Sequence, residues 1–213
     1  MIKPKVFVFL VALALLVPCL SWGAPVLEFT TAQGGSIYYG ERDGAGFITG
    51  LAIPVVSVIG LDTPLNAGVA LSLVGQGDLL SFQTGIASKM VDNSGFTVFV
   101  AQKGGYVTIT QTVLGGNLAS GNLSNSVQYG VTGNFTGDFS NFSLSSVLQQ
   151  FYGVGNSWLG QMTIGTRIPA NITSTSFIPF NGSVMLTAVP IPPSFLIMAS
   201  GLLGLGIVRK RIA

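Results

Sequence analysis

The chain has 213 residues, enough for one good hydrophobic core or two small ones. It carries nine basic and seven acidic residues and no histidine. Five of the nine cations lie in the first five and last five residues, so the segment between them has four basic and seven acidic side chains, a net charge of −3. No basic patch is available there to neutralise phosphates, and we expect no nucleic-acid partner.

The first 23 residues have the pattern of a secretory signal peptide. Lys3 and Lys5 form a positive amino-terminal region, and residues 6–17 are an unbroken apolar run. Ser21 and Gly23 place small residues at −3 and −1 of a cut after Gly23. We therefore expect a signal helix that is removed on export.

Two other interpretations of this segment stay open. A retained signal anchor needs a longer apolar run than this one. Cys19 would be lipidated in a lipoprotein, although Pro18 fits poorly in front of such a cysteine. Cleavage after Gly23 leaves a mature chain without cysteine, and an exported domain of this size then depends on core packing rather than on disulfides.

Residues 24–188 are rich in glycine and poor in charge, and their apolar residues alternate with polar ones. Alternation with period two, interrupted by Gly, Asn and Asp turn signals, is typical of strands. Alternating runs centre on Leu71, Val98, Ile109 and Leu186. Turn signals are Asp43-Gly44, Asn66-Ala67-Gly68, Gly104-Gly105 and Asn181-Gly182. We expect about ten strands in an all-β domain, an antiparallel sandwich or jelly roll.

One segment of this domain has helical spacing instead. Leu144, Val147, Leu148 and Phe151 fall at positions i, i+3, i+4 and i+7. The spacing predicts a short amphipathic helix over residues 143–152, with Ser143 as the amino-terminal cap and Gly153 as the stop. We expect this helix to be a lid or connector.

The residue types present exclude several kinds of chemistry. Without histidine there is no histidine-based triad and no imidazole metal ligand, and without a mature cysteine there is no thiolate nucleophile. A pair of carboxylates, as in glycosidases, is the remaining catalytic option. Residues 41–44 resemble part of a calcium loop but lack the full ligand spacing. We predict a non-enzymatic protein with no cofactor and no metal.

Sugar binding usually requires exposed aromatic rings. Trp158 is the only tryptophan outside the signal segment and is our candidate sugar-binding residue. Aromatic residues in strand proteins more often lie in the core, however. The remaining candidates are the tyrosines, Tyr38, Tyr39, Tyr106, Tyr129 and Tyr152.

The segment 189–213 combines a proline-rich hinge, an apolar run and a basic cluster. Pro190, Pro192 and Pro193 cannot lie inside a helix, and Pro193 suits a first helical turn. A helix over residues 194–208 would span about 22 Å of a hydrocarbon core of roughly 30 Å. We expect a marginal transmembrane helix with a cytoplasmic stop-transfer end. That end is Arg209, Lys210 and Arg211.

This tail resembles the PEP-CTERM protein-sorting signal. The resemblance rests on Val189-Pro190-Ile191-Pro192, the stretch "ASGLLGLG" and the final Arg-Lys-Arg, with Ile191 where the family usually has glutamate. It covers about 25 residues and implies recognition by an exosortase, a membrane-embedded cysteine transpeptidase of Gram-negative bacteria that make extracellular polysaccharide. The matching motif residues are Val189, Pro190 and Pro192.

Three alternatives for the tail stay open: a buried core helix, a GPI signal and a plain type I membrane anchor. The basic end disfavours the first two, since GPI signals end apolar. We expect an exported cell-surface or matrix protein with a structural, non-enzymatic role. Its precursor would be anchored in the inner membrane, and its partners would be an exosortase, the membrane and extracellular polysaccharide. The alternative function is a secreted carbohydrate-binding or carbohydrate-active protein.

Overall fold

A computed structural model describes residues 24–72, 77–91, 97–111, 116–123, 128–129, 133–167 and 176–189. The predicted signal peptide, and the predicted tail apart from Val189, lie outside these residues. Within the described ranges, no helix is long and apolar enough to cross a membrane.

The described chain consists of antiparallel strands and one short helix. The strands are β1 (Val26–Thr31), β2 (Ser36–Arg42), β3 (Ala45–Leu61), β4 (Asp78–Thr84), β5 (Ala87–Val91), β6 (Thr97–Ala101), β7 (Gly105–Gln111), β8 (Gly116–Leu123), β9 (Gln128–Tyr129), β10 (Asn134–Leu144), β11 (Trp158–Thr166), β12 (Ser176–Phe177) and β13 (Pro179–Ala188). The helix α1 (Ser146–Tyr152) lies between β10 and β11. The predicted all-β class with one short helix is confirmed.

Eight of the described strands close into a barrel, so the predicted sandwich or jelly roll is wrong. Around the barrel the order is β1, β13, β11, β10, β8, β7, β4 and β3, and β3 pairs again with β1. On β1, Leu27 lies opposite Leu186 of β13 on one side and Gly60 of β3 on the other. A sandwich has two sheets with free edges, whereas closure leaves none.

Closure depends on irregularities that bend the longest strand. The register of β3 shifts against β4 between Gly50 and Ile53, where Ala52 has a φ of 54°. It shifts again against β1, where Val56 is the extra residue between the partners of Thr30 and Thr31. Bulges of this kind increase local twist and bend a strand, which a small barrel requires.

The inside of the barrel is filled by apolar side chains. In β7, Val107 and Ile109 are buried, while Thr108 and Thr110 face outward, as the alternation predicts. Gln111 is the one polar residue on the buried face of this strand. The largest buried side chains include Phe29, Phe82, Phe139, Phe142 and Trp158.

Helix α1 covers one end of the barrel, which we call the helix end. The Ser145 side chain accepts a hydrogen bond from the Leu148 amide, and Gly153 ends the helix in the left-handed conformation, with φ of 67°. The predicted helix and its glycine stop are thus confirmed. The predicted cap, Ser143, is wrong, because β10 continues through Leu144 and the helix begins only afterwards.

Tyr152 joins α1 to the barrel wall. Its ring is fully buried, and its hydroxyl oxygen lies 2.8 Å from the Val58 carbonyl and 3.0 Å from the Val69 carbonyl. A side chain at Gly60 would collide with this ring, since a Cβ there would lie 2.5 Å from it. Burial raises the pKa of the Tyr152 phenol, while hydrogen bonds from nearby backbone oppose the rise.

The remaining strands attach at the opposite end, which we call the hairpin end. β2 pairs with β3 and β12, and β5, β6 and β9 connect β3 to β10. A chain of aromatic contacts closes this end, with ring centroids 5.1–5.7 Å apart. It consists of Tyr39, Phe99, Phe177 and Phe135. Both ends of the barrel are therefore closed by buried aromatic rings.

Some of the predicted turns and strands are confirmed, and others are wrong. Asp43 and Gly44 have φ values of 53° and 77° and connect β2 to β3, as expected of a two-residue hairpin turn. The turn predicted at residues 181–182 is wrong, because both residues lie inside β13. The strand predicted around Leu71 is reduced to one bridge between Ala70 and Ile59.

Replacement of Tyr152 by phenylalanine should lower the free energy of unfolding by about 1–3 kcal/mol, because it leaves buried carbonyls without their donor. Chemical denaturation of the full chain measures this. The wild type should also lose stability as the pH rises above 10, the ordinary value for a tyrosine side chain, because the folded state favours the protonated phenol; the variant should lose less. Tyr38→Phe, at a half-exposed position, is the matched control, and equal losses for the two variants would contradict this role.

Candidate functional site

Of the sequence-predicted site residues, the structure describes Trp158 and Val189, which lie near each other because Trp158 is opposite Ala188. Trp158 is 1% exposed and donates a hydrogen bond from its indole nitrogen to the Gly155 carbonyl, 2.9 Å away. It therefore presents no ring face to a sugar. Val189 is partly exposed, and its amide donates to the Ser157 carbonyl. The other sorting, stop-transfer and cleavage residues lie outside the described residues: Pro190, Pro192, Arg209, Lys210, Arg211, Ser21 and Gly23.

The acidic turn at residues 41–44 lies at the tip of the β2–β3 hairpin. Arg42 Nε and Asp43 Oδ2 are 3.6 Å apart and highly exposed. The Tyr39 hydroxyl donates to Glu41, and its pKa is raised, first by burial and then by this carboxylate. Among the described residues, no three His, Cys, Asp or Glu side chains gather as metal ligands would.

Two carboxylates face outward from the barrel wall, but they lie far apart. Glu28 is opposite Met185, Met185 is opposite Gln161, and Gln161 is opposite Asp138. Three steps between neighbouring strands separate the two acids by roughly 14 Å. Glycosidase pairs are separated by about 5–9.5 Å. This pair is therefore too widely spaced for either glycosidase mechanism.

Most outward-facing positions on seven of the barrel strands carry hydroxyl or amide side chains, and we call this surface the polar wall. Paired residues form transverse rows across neighbouring strands. One row is Gln83, Tyr106, Asn122 and Ser140, and the next is Ser81, Thr108, Ser120 and Ser143. On the other side of β10, the rows are Thr136, Thr163, Ser183 and Thr30, then Asp138, Gln161, Met185 and Glu28. Only Glu28 and Asp138 are charged in these rows.

Tyr106 is the aromatic residue of the polar wall. It is 48% exposed and lies between Gln83 and Asn122, its partners on the two neighbouring strands. An exposed ring flanked by amides offers a stacking surface together with hydrogen-bond donors and acceptors. The sequence analysis sought such an exposed ring at Trp158.

A shallow open depression of about 340 Å³ interrupts the wall where β1, β13, β11 and β10 meet the hairpin end. The side-chain amides of Asn181 and Asn134 converge over Gly165, with oxygens 2.7 and 3.3 Å from where its Cβ would be. A larger residue at 165 would fill that space. The remaining lining residues are Thr30, Thr31, Thr163, Gly182 and Ser183, so no lining residue is charged.

Beneath the depression, Thr31 holds a buried hydroxyl on the inner face of β1, the face that also carries Leu27 and Phe29. The residue is 3% exposed, and its Oγ1 has no hydrogen-bond partner among the described residues. A Cβ at Gly182 would lie 3.1 Å from this oxygen, so glycine leaves room beside it. A buried polar atom without a partner costs about 1–3 kcal/mol.

The chain matches no family model, no curated protein and no solved structure. Its chemistry must be inferred from its own residues. Hydroxyls and amides each both donate and accept hydrogen bonds, and this suits a neutral, polyhydroxylated ligand better than an ion. The sequence analysis missed the wall, although strands whose polar positions carry Ser, Thr, Asn or Gln rather than Lys or Glu are the signal for it.

Thr31→Val should raise the free energy of unfolding by about 1 kcal/mol, because it replaces an unpaired buried hydroxyl by a methyl group of similar shape. Denaturant titration of the full chain measures this. The neighbouring Thr30→Val, on the outward face, is the matched control and should change stability by less than about 0.5 kcal/mol. A loss of stability in Thr31→Val would mean that the hydroxyl has a hydrogen-bond partner in solution.

Proposed function

We propose that this chain is an exported, non-enzymatic protein of the cell envelope or extracellular matrix, and that its barrel binds neutral polysaccharide. The observation that carries the proposal is the polar wall, a large hydrogen-bonding surface with almost no charge. The predicted signal peptide and the PEP-CTERM-like tail support export and a membrane-held precursor. In that scheme an exosortase-type enzyme reads the tail and releases the barrel.

The geometry of the wall suits a polymer. Strand pairing spaces the outward side chains about 4.8 Å apart within a row, and successive rows lie roughly 6.6 Å apart along the strands. Such a surface offers repeated donors and acceptors rather than one deep pocket. The partly exposed Tyr106 supplies a ring face, and the depression around Gly165 supplies a place for one protruding sugar unit.

The wide separation of Glu28 and Asp138 favours binding over hydrolysis. The sequence raised two sugar-related hypotheses, a carbohydrate-binding protein and a carbohydrate-active enzyme. The arrangement of the polar wall supports the binding protein. The polymer it recognises would be uncharged, because the lining of the depression contains no cation that could pair with a uronate or sulfate group.

Pull-down of the full chain with insoluble neutral polysaccharides, including the polymer of its producing host, tests the proposal. Tyr106→Ala should weaken binding about tenfold, equivalent to about 1.4 kcal/mol. Asn181→Ala should weaken it by a smaller factor, typical of one hydrogen bond. Binding should persist from low salt to roughly 0.5 M, since screening affects only charged contacts.

Tyr38→Ala is the matched control, because this tyrosine is also partly exposed but lies on β2, away from the wall. It should leave affinity unchanged. Equal weakening by Tyr38→Ala and Tyr106→Ala, or binding restricted to acidic polymers and abolished by salt, would overturn the proposal.

A further inference from the structure

Both ends of the described chain leave the barrel at the helix end. The Ala188 amide donates to the Pro25 carbonyl at 2.9 Å, and the Val189 amide donates to the Ser157 carbonyl at 3.0 Å. The start of β1 therefore lies beside the end of β13, next to the start of β11. The predicted signal segment precedes residue 24, and the predicted membrane segment follows Val189. Both apolar sequences are therefore attached to the same end of the barrel.

The connection to the carboxy-terminal segment is short. Four residues, 190–193, separate Val189 from the first residue of the predicted span, Ser194. Fully extended, the five steps from Val189 to Ser194 reach at most about 18 Å. The headgroup layer outside the hydrocarbon core is about 5–8 Å thick on each side of a bilayer. A span beginning at Ser194 therefore keeps the helix end within roughly 13 Å of the headgroups.

The helix end has apolar side chains exposed around its rim. Leu61 ends β3, the Leu65 amide donates to the Tyr152 carbonyl, and the Val69 carbonyl accepts from the Tyr152 hydroxyl. Leu159 and Val189 complete this apolar rim beside α1, and all five are more than 40% exposed. The rim faces the direction in which the chain must enter the membrane.

The described positive charges lie at the other end of the barrel, away from the apolar rim. The four described cations, Arg42, Lys89, Lys103 and Arg167, belong to segments at the hairpin end. At or near the helix end, the described charged residues are the exposed Asp62, directly after β3, the buried Asp78, at the start of β4, and Glu28, the third residue of β1. An apolar rim with little charge loses little solvation on contact with lipid.

We propose that the helix end rests on the lipid headgroup layer of the membrane in the precursor, with the apolar rim in contact with the bilayer. The inference rests on the predicted carboxy-terminal membrane segment, which is part of the proposed function, but not on polysaccharide binding. The hairpin end then points away from the membrane, and the polar wall stands along the membrane normal, open to polymer. Val189 then lies near the lipid surface, within reach of a membrane-embedded processing enzyme.

The test uses the full chain, with Cys19→Ser, reconstituted into phosphatidylcholine vesicles. Single cysteines carrying an NBD fluorophore replace Leu65 at the helix end or Ile178 at the hairpin end. These positions form a matched pair, since both are apolar and are 53% and 55% exposed. Quenching is measured with a spin-labelled lipid and, separately, with aqueous iodide. We expect the lipid quencher to act strongly at position 65 and not at 178, and iodide to show the reverse.

Each other outcome overturns the proposal. Equal iodide quenching at both positions, without lipid quenching, would mean that the helix end stands free in water. Protection of position 65 from both quenchers would mean that a protein, such as a second copy, covers the rim. Failure of the chain to stay with the vesicles would contradict the predicted membrane segment itself. Polysaccharide binding, measured separately, is unaffected by any of these results.

Discussion

The pairing of β1 with both β13 and β3 is the constraint on which the rest of the structure depends. It joins the two edges of what would otherwise be an open sheet, and it places the first and last described strands side by side. The bulge at Val56 allows β3 to bend into this pairing. Closure then gives every barrel strand an inner and an outer face, and the outer face is mostly polar on seven of the eight strands. It also fixes the helix end as the place where both chain ends emerge.

The outer face of the barrel is unusual because it carries little charge. Surfaces of exported domains are ordinarily kept soluble by mixed charge, whereas the rows of the polar wall carry Ser, Thr, Asn and Gln with two carboxylates. Such a surface offers many hydrogen-bond donors and acceptors, which is why we propose a neutral, hydroxyl-rich partner for it. The two ends of the closed barrel are covered by other parts of the chain. Helix α1 covers the helix end, and the aromatic rings from Tyr39 to Phe135 cover the hairpin end.

Local features of the fold were predictable from sequence, and global ones were not. The alternation around Val107 and Ile109, the Gly153 stop and the Asp43-Gly44 turn depend on neighbours in the chain, and each is confirmed. Sandwich and barrel have the same alternation, so the choice between them depends on the long-range pairing of β1 with β3, which no local pattern encodes. Asn181-Gly182 has turn chemistry, but both neighbouring strands pair with it and keep it extended. The ring selected for sugar binding, Trp158, is in the core, whereas Tyr106, one of several tyrosines named as candidates, is partly exposed on the wall.

We propose a barrel suited to neutral polymer, joined to a tail that would hold the precursor in the membrane until the tail is removed. Mass spectrometry of the protein isolated from the extracellular material of its producing host tests this most directly. The account predicts a mature chain that begins at Ala24 and ends between Val189 and Pro193. A membrane-bound chain that retains Arg209, Lys210 and Arg211 would contradict it and leave a simple anchor.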